Sequence, residues 1–138
     1  MRKKILTTVA LSIILLNACK KDAHDDDHKH KHNHDSVPNI TINDPKKAEY
    51  EAGDTAFVNV VITDEHELEE AKCYFITKPQ NDTLWRLKRH SHSKSITFNS
   101  FFVFGKLPDG QKVDFIVVAE NESGKTATAK HSFEVHDH

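Results

Sequence analysis

The sequence predicts an all-β fold, a single antiparallel sandwich of about seven short strands behind a leader and a polar linker. Three observations predict it. Short runs alternate apolar and polar residues, as in "AFVNVVIT" and "KVDFIVVA", which is the period of a half-buried strand. Turn-forming clusters such as "NDP", "EAGD", "LPDG" and "NESG" punctuate those runs at the spacing of a sandwich. No stretch of helical period and no internal repeat is visible.

The elements follow in order. Residues 39–42 form a first strand with Ile40 and Ile42 on one face, stopped at Asn43-Asp44-Pro45, since proline cannot donate to a ladder. Residues 50–55 read as a turn leading into a strand at 56–63. There Ala56, Val58, Val60 and Ile62 face inward, and Asn59 and Thr63 face out. Residues 64–67 read as a charged loop. A third strand at 70–77 ends before Pro79, and a fourth at 83–89 turns Trp85 and Leu87 inward. A fifth, at 95–104, carries Phe98, Phe101, Phe102 and Phe104. These are expected in the core, since apolar strand residues usually serve it. More than two exposed together would mark a binding patch. The sixth, at 112–119, aligns Val113, Phe115, Val117 and Ala119. Gly124 supplies the hairpin turn, and a seventh strand at 126–135 aligns Ala127, Ala129, His131, Phe133 and Val135. The result is an immunoglobulin-like sandwich over 37–138, roughly 100 residues and a usual size for one core.

The front of the chain is different. Met1-Arg2-Lys3-Lys4 precedes an apolar run over residues 5–16, too short for the about 20 residues of a helical span. Basic residues followed by a short apolar core read as an export signal. The run ends in Leu16-Asn17-Ala18-Cys19, which resembles the lipobox of bacterial lipoproteins. That resemblance implies acylation of Cys19, a signal peptide at 1–18 and a mature chain of 19–138. The acidic residues after Cys19 are similar to surface-export signals of some Gram-negative lipoproteins. The implied location is the cell envelope, lipid-anchored to the outer membrane and open to the surface. Acyl chains contribute roughly 0.8 kcal/mol per buried methylene, so several chains hold such a protein stably. "GDTAFVNVVITDEHELEEAKCYF" and "VVAENESGKTATAKHSFEV" resemble immunoglobulin- and cadherin-like modules of bacterial surface proteins. Together with the lipobox and the histidines, the chain resembles a family of His-rich lipoproteins with no assigned function.

Residues 19–36 form the linker, and "HDDDHKHKHNHD" at 24–35 is its main feature. With no large apolar residue it cannot offset the entropy of ordering, so the composition predicts a disordered tether. His24, His28, His30, His32 and His34 stand among Asp25, Asp26 and Asp27. Neutral imidazole suits zinc, copper and nickel, and carboxylates add charge. Zinc or a similar divalent transition metal is the expected ligand. A second candidate set is His90 and His92, which share a face if their segment is extended, joined by His66 and His131. His136-Asp137-His138 is a further chelating end.

Removing the signal takes Arg2, Lys3 and Lys4 and no acid, so 19 Lys+Arg fall to 16 against 21 Asp+Glu, a net charge of −5. With no basic stripe, nucleic acid is not an expected partner. Protonating all 11 histidines would move −5 to +6, so surface charge should respond to pH. With Cys19 acylated, Cys73 has no partner for a disulfide and reads as a small buried hydrophobe. No phosphate loop, HExxH or nucleophile elbow is present, so no enzymatic activity is expected. The first functional reading is metal buffering or delivery in the envelope, with the membrane as anchor and a metal transporter or surface protein as partner. The alternative is a surface adhesion module for protein or glycan, with the histidine tail as a spacer.

Overall fold

The computed structural model describes residues 36–138. The signal, Cys19 and the His/Asp tail lie outside the described residues. The described chain is all-β and has six strands: β1 (Asn39–Asp44), β2 (Glu49–Glu51), β3 (Thr55–Lys78), β4 (Thr83–Val103), β5 (Gln111–Asn121) and β6 (Thr126–His136).

Two long strands make the sandwich from one sheet. The first half of β3 pairs with β1 and with the second half of β4, while its second half pairs with β5 and the first half of β4. β6 continues the sheet from β5, and β2 closes it. The sheet therefore curls so that its two parts face each other across the core. Every pairing is antiparallel except β2 with β6.

The bend falls at residues 64–67, read from sequence as a loop. The chain stays extended there, and the pairing register shifts between Thr63 and Leu68 and again between Leu68 and Glu70. Such shifts insert an extra residue and reverse the alternation. Before the bend the buried residues are Ala56, Val58, Val60 and Ile62; after it they are Ala71, Cys73 and Phe75. At this corner Glu65 points to water, while the half-buried Asp64 carboxylate is taken up by hydrogen bonds from Ser36 and Asn121. Residues 90–94 likewise continue as strand, so β4 joins two expected strands into one. The short β2 is an addition, since the sequence pattern assigns residues 50–55 to a turn. Two mergers and one addition turn seven expected strands into six.

The predicted core is present. Val113, Phe115, Val117, Ala119, Phe133 and Val135 are buried, and Ile40, Ile42, Trp85 and Leu87 pack against them half-buried. Gly124 takes φ +75° in the β5–β6 hairpin, a conformation that suits glycine.

Phe75 is the centre of this core. Its ring centroid lies 4.9 Å from Phe115, 5.5 Å from Phe102, 5.6 Å from Trp85, 5.7 Å from Phe104 and 5.9 Å from Phe133. Phe102 belongs to the layer facing that of Phe75, Phe115 and Phe133, so these contacts join the two layers. Phe75→Ala should destabilise the domain by ~3–5 kcal/mol, measured by denaturant unfolding. A loss below ~1 kcal/mol would show that the neighbouring rings close the gap.

Candidate functional site

His90 and His92 lie exposed on β4. His90 faces Glu70 in register, with Nε2 3.7 Å from Oε2. Glu70 also receives Lys88 Nζ at 2.7 Å and Lys72 Nζ at 3.8 Å. The Lys88 hydrogen bond is the main reason its carboxyl titrates below the ordinary range. His131 is on β6, where its Nε2 sits 2.8 Å from the Lys47 carbonyl oxygen. His66 stands at the β3 bend, its backbone amide donating to Asp64 Oδ1 at 2.8 Å.

The structure does not gather these four histidines. β3 and β5 stand between the first half of β4 and β6. Three strand steps at about 4.8 Å place His131 roughly 14 Å from the His90 strand. Among the described residues, no three His, Cys, Asp or Glu side chains form a group able to hold a metal. Sequence spacing puts His90 and His92 on one face of an extended segment but carries no information on which strand neighbours which.

The point where the tail joins the domain is built with more care than the sequence suggested. Asn121 is fully buried, and all four of its amide hydrogen-bonding positions are used. Nδ2 donates to the Ser36 carbonyl at 3.0 Å and to Asp64 Oδ2 at 3.1 Å, while Oδ1 accepts from the amides of Ser123 at 3.1 Å and Lys125 at 2.9 Å. The Ser36 hydroxyl donates to Asp64 Oδ1 at 2.8 Å. Burial pushes the Asp64 pKa up, but the His66 amide, Ser36 hydroxyl, Asn121 amide and His66 charge together hold it below the usual value. Three segments distant in sequence are thus clamped where the described chain begins. The sequence marked Asn121 only as a turn residue.

The opposite end of the strands carries His136 and His138. His136 and His138 stack with centroids 5.8 Å apart, and His136 Nδ1 lies 3.1 Å from Asp109 Oδ1. That contact is the main cause of a lowered Asp109 pKa. A shallow cavity of about 240 Å³ beside them is lined by Glu49, Tyr50, Glu51, Asp54, His136 and His138.

The phenylalanine-rich stretch divides. Phe98 and Phe104 are buried and Phe102 is half-buried, as expected for the core, and Phe101 alone is exposed, at 62%, so the stretch by itself falls short of the more than two exposed rings that would mark a patch. Directly opposite Phe101 on β3 is Phe57, 65% exposed, with Val103 at 49% on the same face. Beside them runs a ladder of amides: Asn43 Nδ2 donates to Asn59 Oδ1 at 2.8 Å, and Asn59 Nδ2 to Asn99 Oδ1 at 2.7 Å. Sequence reasoning placed Asn59 outward but did not single out Phe57 or the ladder.

No family model and no curated protein matches the chain. Among solved structures it is similar to a sporulation control protein from Bacillus subtilis, with 12% identity and a TM-score of 0.44, covering 75% of this chain and 50% of that one. The chain thus spans half the length of that protein. It is also similar to a superoxide reductase (neelaredoxin) from Ignicoccus hospitalis, at 12% identity and TM-score 0.44, over 72% of this chain and 80% of that one. A third is a Niemann-Pick type C2 protein from the Japanese carpenter ant, at 11% identity and TM-score 0.44, over 75% and 92%.

Two tests follow from this geometry. Burial pushes the Cys73 thiol up to about 12, with Arg89 opposing weakly. In a Cys19→Ser chain, Cys73 should resist a disulfide reagent at pH 8 and release one equivalent on unfolding. Rapid reaction of the folded protein would contradict its burial. At Asp64 the folded pKa is depressed, so its contribution is present above the unfolded value near 3.8 and lost as pH falls through the lower folded value. Asp64→Asn should lower stability at neutral pH and converge on the parent in acid. Parallel stability–pH curves would show that the carboxylate adds nothing.

Proposed function

We propose that this protein is a lipid-anchored envelope protein that binds a divalent transition metal, zinc first, through its His/Asp-rich tail. The observation that carries this reading is the density of ligands in "HDDDHKHKHNHD", where His24, His28, His30, His32 and His34 share twelve positions with Asp25, Asp26, Asp27 and Asp35. A short tract of this composition wraps several imidazoles around one ion, and binding drives its ordering. The lipobox-like LNAC supports attachment at Cys19, which would hold the tract beside the outer membrane. The domain supports the reading as a scaffold: its first described residue, Ser36, is clamped by Asp64 and Asn121. The role is buffering or delivery of metal to a transporter or surface protein, with no catalytic step. The exposed pair His90 and His92 is a weaker accessory ligand set, since the fold keeps His131 away from it.

Because imidazole must be neutral to ligate, affinity should fall as pH drops through about 6.5. Zinc titration of the non-acylated chain by calorimetry at pH 7.5 should give a stoichiometry above one. Deleting residues 22–35 should remove most of it, while His90→Ala with His92→Ala removes little. Unchanged stoichiometry after the tail deletion would overturn the proposal.

A further inference from the structure

The two outer faces of the sandwich carry opposite chemistry. On the β4–β3–β5–β6 side, charges stand in pairs, such as Lys88 with Glu70 and Lys130 with Asp114. The other face is built by β1, the first half of β3 and the second half of β4. There the odd-numbered residues of 39–43, 55–63 and 95–103 point outward, while Ala56, Val58, Val60, Ile62, Ile96 and Phe98 fill the core. Every one of those outward residues is Asn, Thr, Ser, Phe or Val. In a chain with 29% charged residues, chance gives such an uncharged face roughly 1 time in 100. Charge returns at its ends, in Asp54 and Lys94, and in exposed Asp44 on the edge strand β1, the register partner of Asn59.

Within this face, the geometry combines two kinds of contact. Phe57 and Phe101 are cross-strand partners and both mostly exposed, so two apolar rings stand open to solvent on adjacent strands. One step along the same face, about 7 Å away, the Asn43–Asn59–Asn99 ladder runs across all three strands. The ladder holds its amides in place and leaves Asn99 Nδ2 and Asn43 Oδ1 with hydrogen-bonding capacity facing solvent. Thr41 and Thr97 continue the polar row on either side of Val61.

We propose that this face binds a neutral oligosaccharide. The C–H bonds of a pyranose carry partial positive charge and pack on the negative face of an aromatic ring. Its hydroxyls donate to and accept from fixed amides. The open rings and the ladder, about one sugar ring apart, supply both at once. With no charge among the outward residues of β3 and β4 and a single carboxylate, Asp44, beside the ladder, the face lacks the charge cluster that an acidic or basic partner would use. The exposed apolar area, roughly 300 Å², is below the about 450 Å² that is the non-polar share of a stable interface's about 800 Å² per partner, so a second copy is the poorer occupant. This inference does not depend on metal binding by the tail.

The test uses the full chain, labelled with nitrogen-15, and four neutral probes: hexamers of β-glucose, β-mannose, β-xylose and N-acetylglucosamine. A hexamer of galacturonate serves as the charged comparison. At least one neutral probe should shift the backbone amides of residues 57, 59, 99 and 101, equally at low and high sodium chloride. Phe57→Ala with Phe101→Ala should weaken binding by roughly tenfold or more. Asn99→Ala, at an exposed position, gives an independent loss if the double variant folds poorly. The proposal is overturned if no neutral probe binds, if shifts map to another face, or if only the galacturonate binds and salt abolishes it. It is equally overturned if sedimentation finds a dimer that Phe57→Ser dissolves.

Discussion

Phe75 is the contact on which the rest of the molecule depends. A sheet of this size has two faces, and an exposed apolar face is unstable in water. The chain solves the problem by curling one sheet until Phe102 and Phe104 meet the rings around Phe75. Tilted and edge-on pairs such as Phe75–Phe115 and Phe104–Phe133 suit the ring quadrupoles. Once these rings meet, β3 and β4 must each serve both layers, and the position of every outward side chain follows.

That requirement explains the bend. A strand that crosses between layers has a corner where both faces meet solvent, so apolar side chains there would be wasted and charged ones are tolerated. "DEHE" at 64–67 occupies that corner, and the two register shifts around it bring Leu68, Ala71, Cys73 and Phe75 back to the inside. Asp64 then faces Ser36 and Asn121, and the three fasten the beginning of the domain to the hairpin at the end of β5. The same charged corner that looks like a loop in sequence therefore holds Ser36, the first described residue.

Much of this was legible in the sequence because alternation is a direct record of which face is buried. Ala56, Val58, Val60, Ile62, Val113, Phe115 and Val117 could be assigned by period alone. Strand continuity could not, since charged residues at 64–67 and polar ones at 90–94 look alike in a loop and in a bent strand. The three-residue β2 is too short to show a period. The phenylalanine stretch was ambiguous for another reason: adjacent Phe101 and Phe102 must point opposite ways, and the phase is set by the distant register with Phe57 and Ala56. The candidate histidines carried the least information. Their type fixes what they can bind, but only strand order decides that His131 is far from His90.

β4 brings these threads to one place. It pairs with β3 alone, which leaves its other edge without a partner strand among the described residues. Open edges invite pairing with other chains, and lysine or arginine along an edge discourages it. The first half of β4 follows that rule with Arg86, Lys88 and Arg89, and Lys94 stands just past the bend. From Ser95 to Val103 the same edge has no charge at all, although nothing in the core requires this of outward residues. Threonine or lysine at 99, 101 or 103 would keep the inward residues in place and guard the edge better. A surface that omits an inexpensive safeguard over one continuous half, while fixing three amides beside two open rings, is more simply understood as shaped for a neutral ligand than as an unselected exterior.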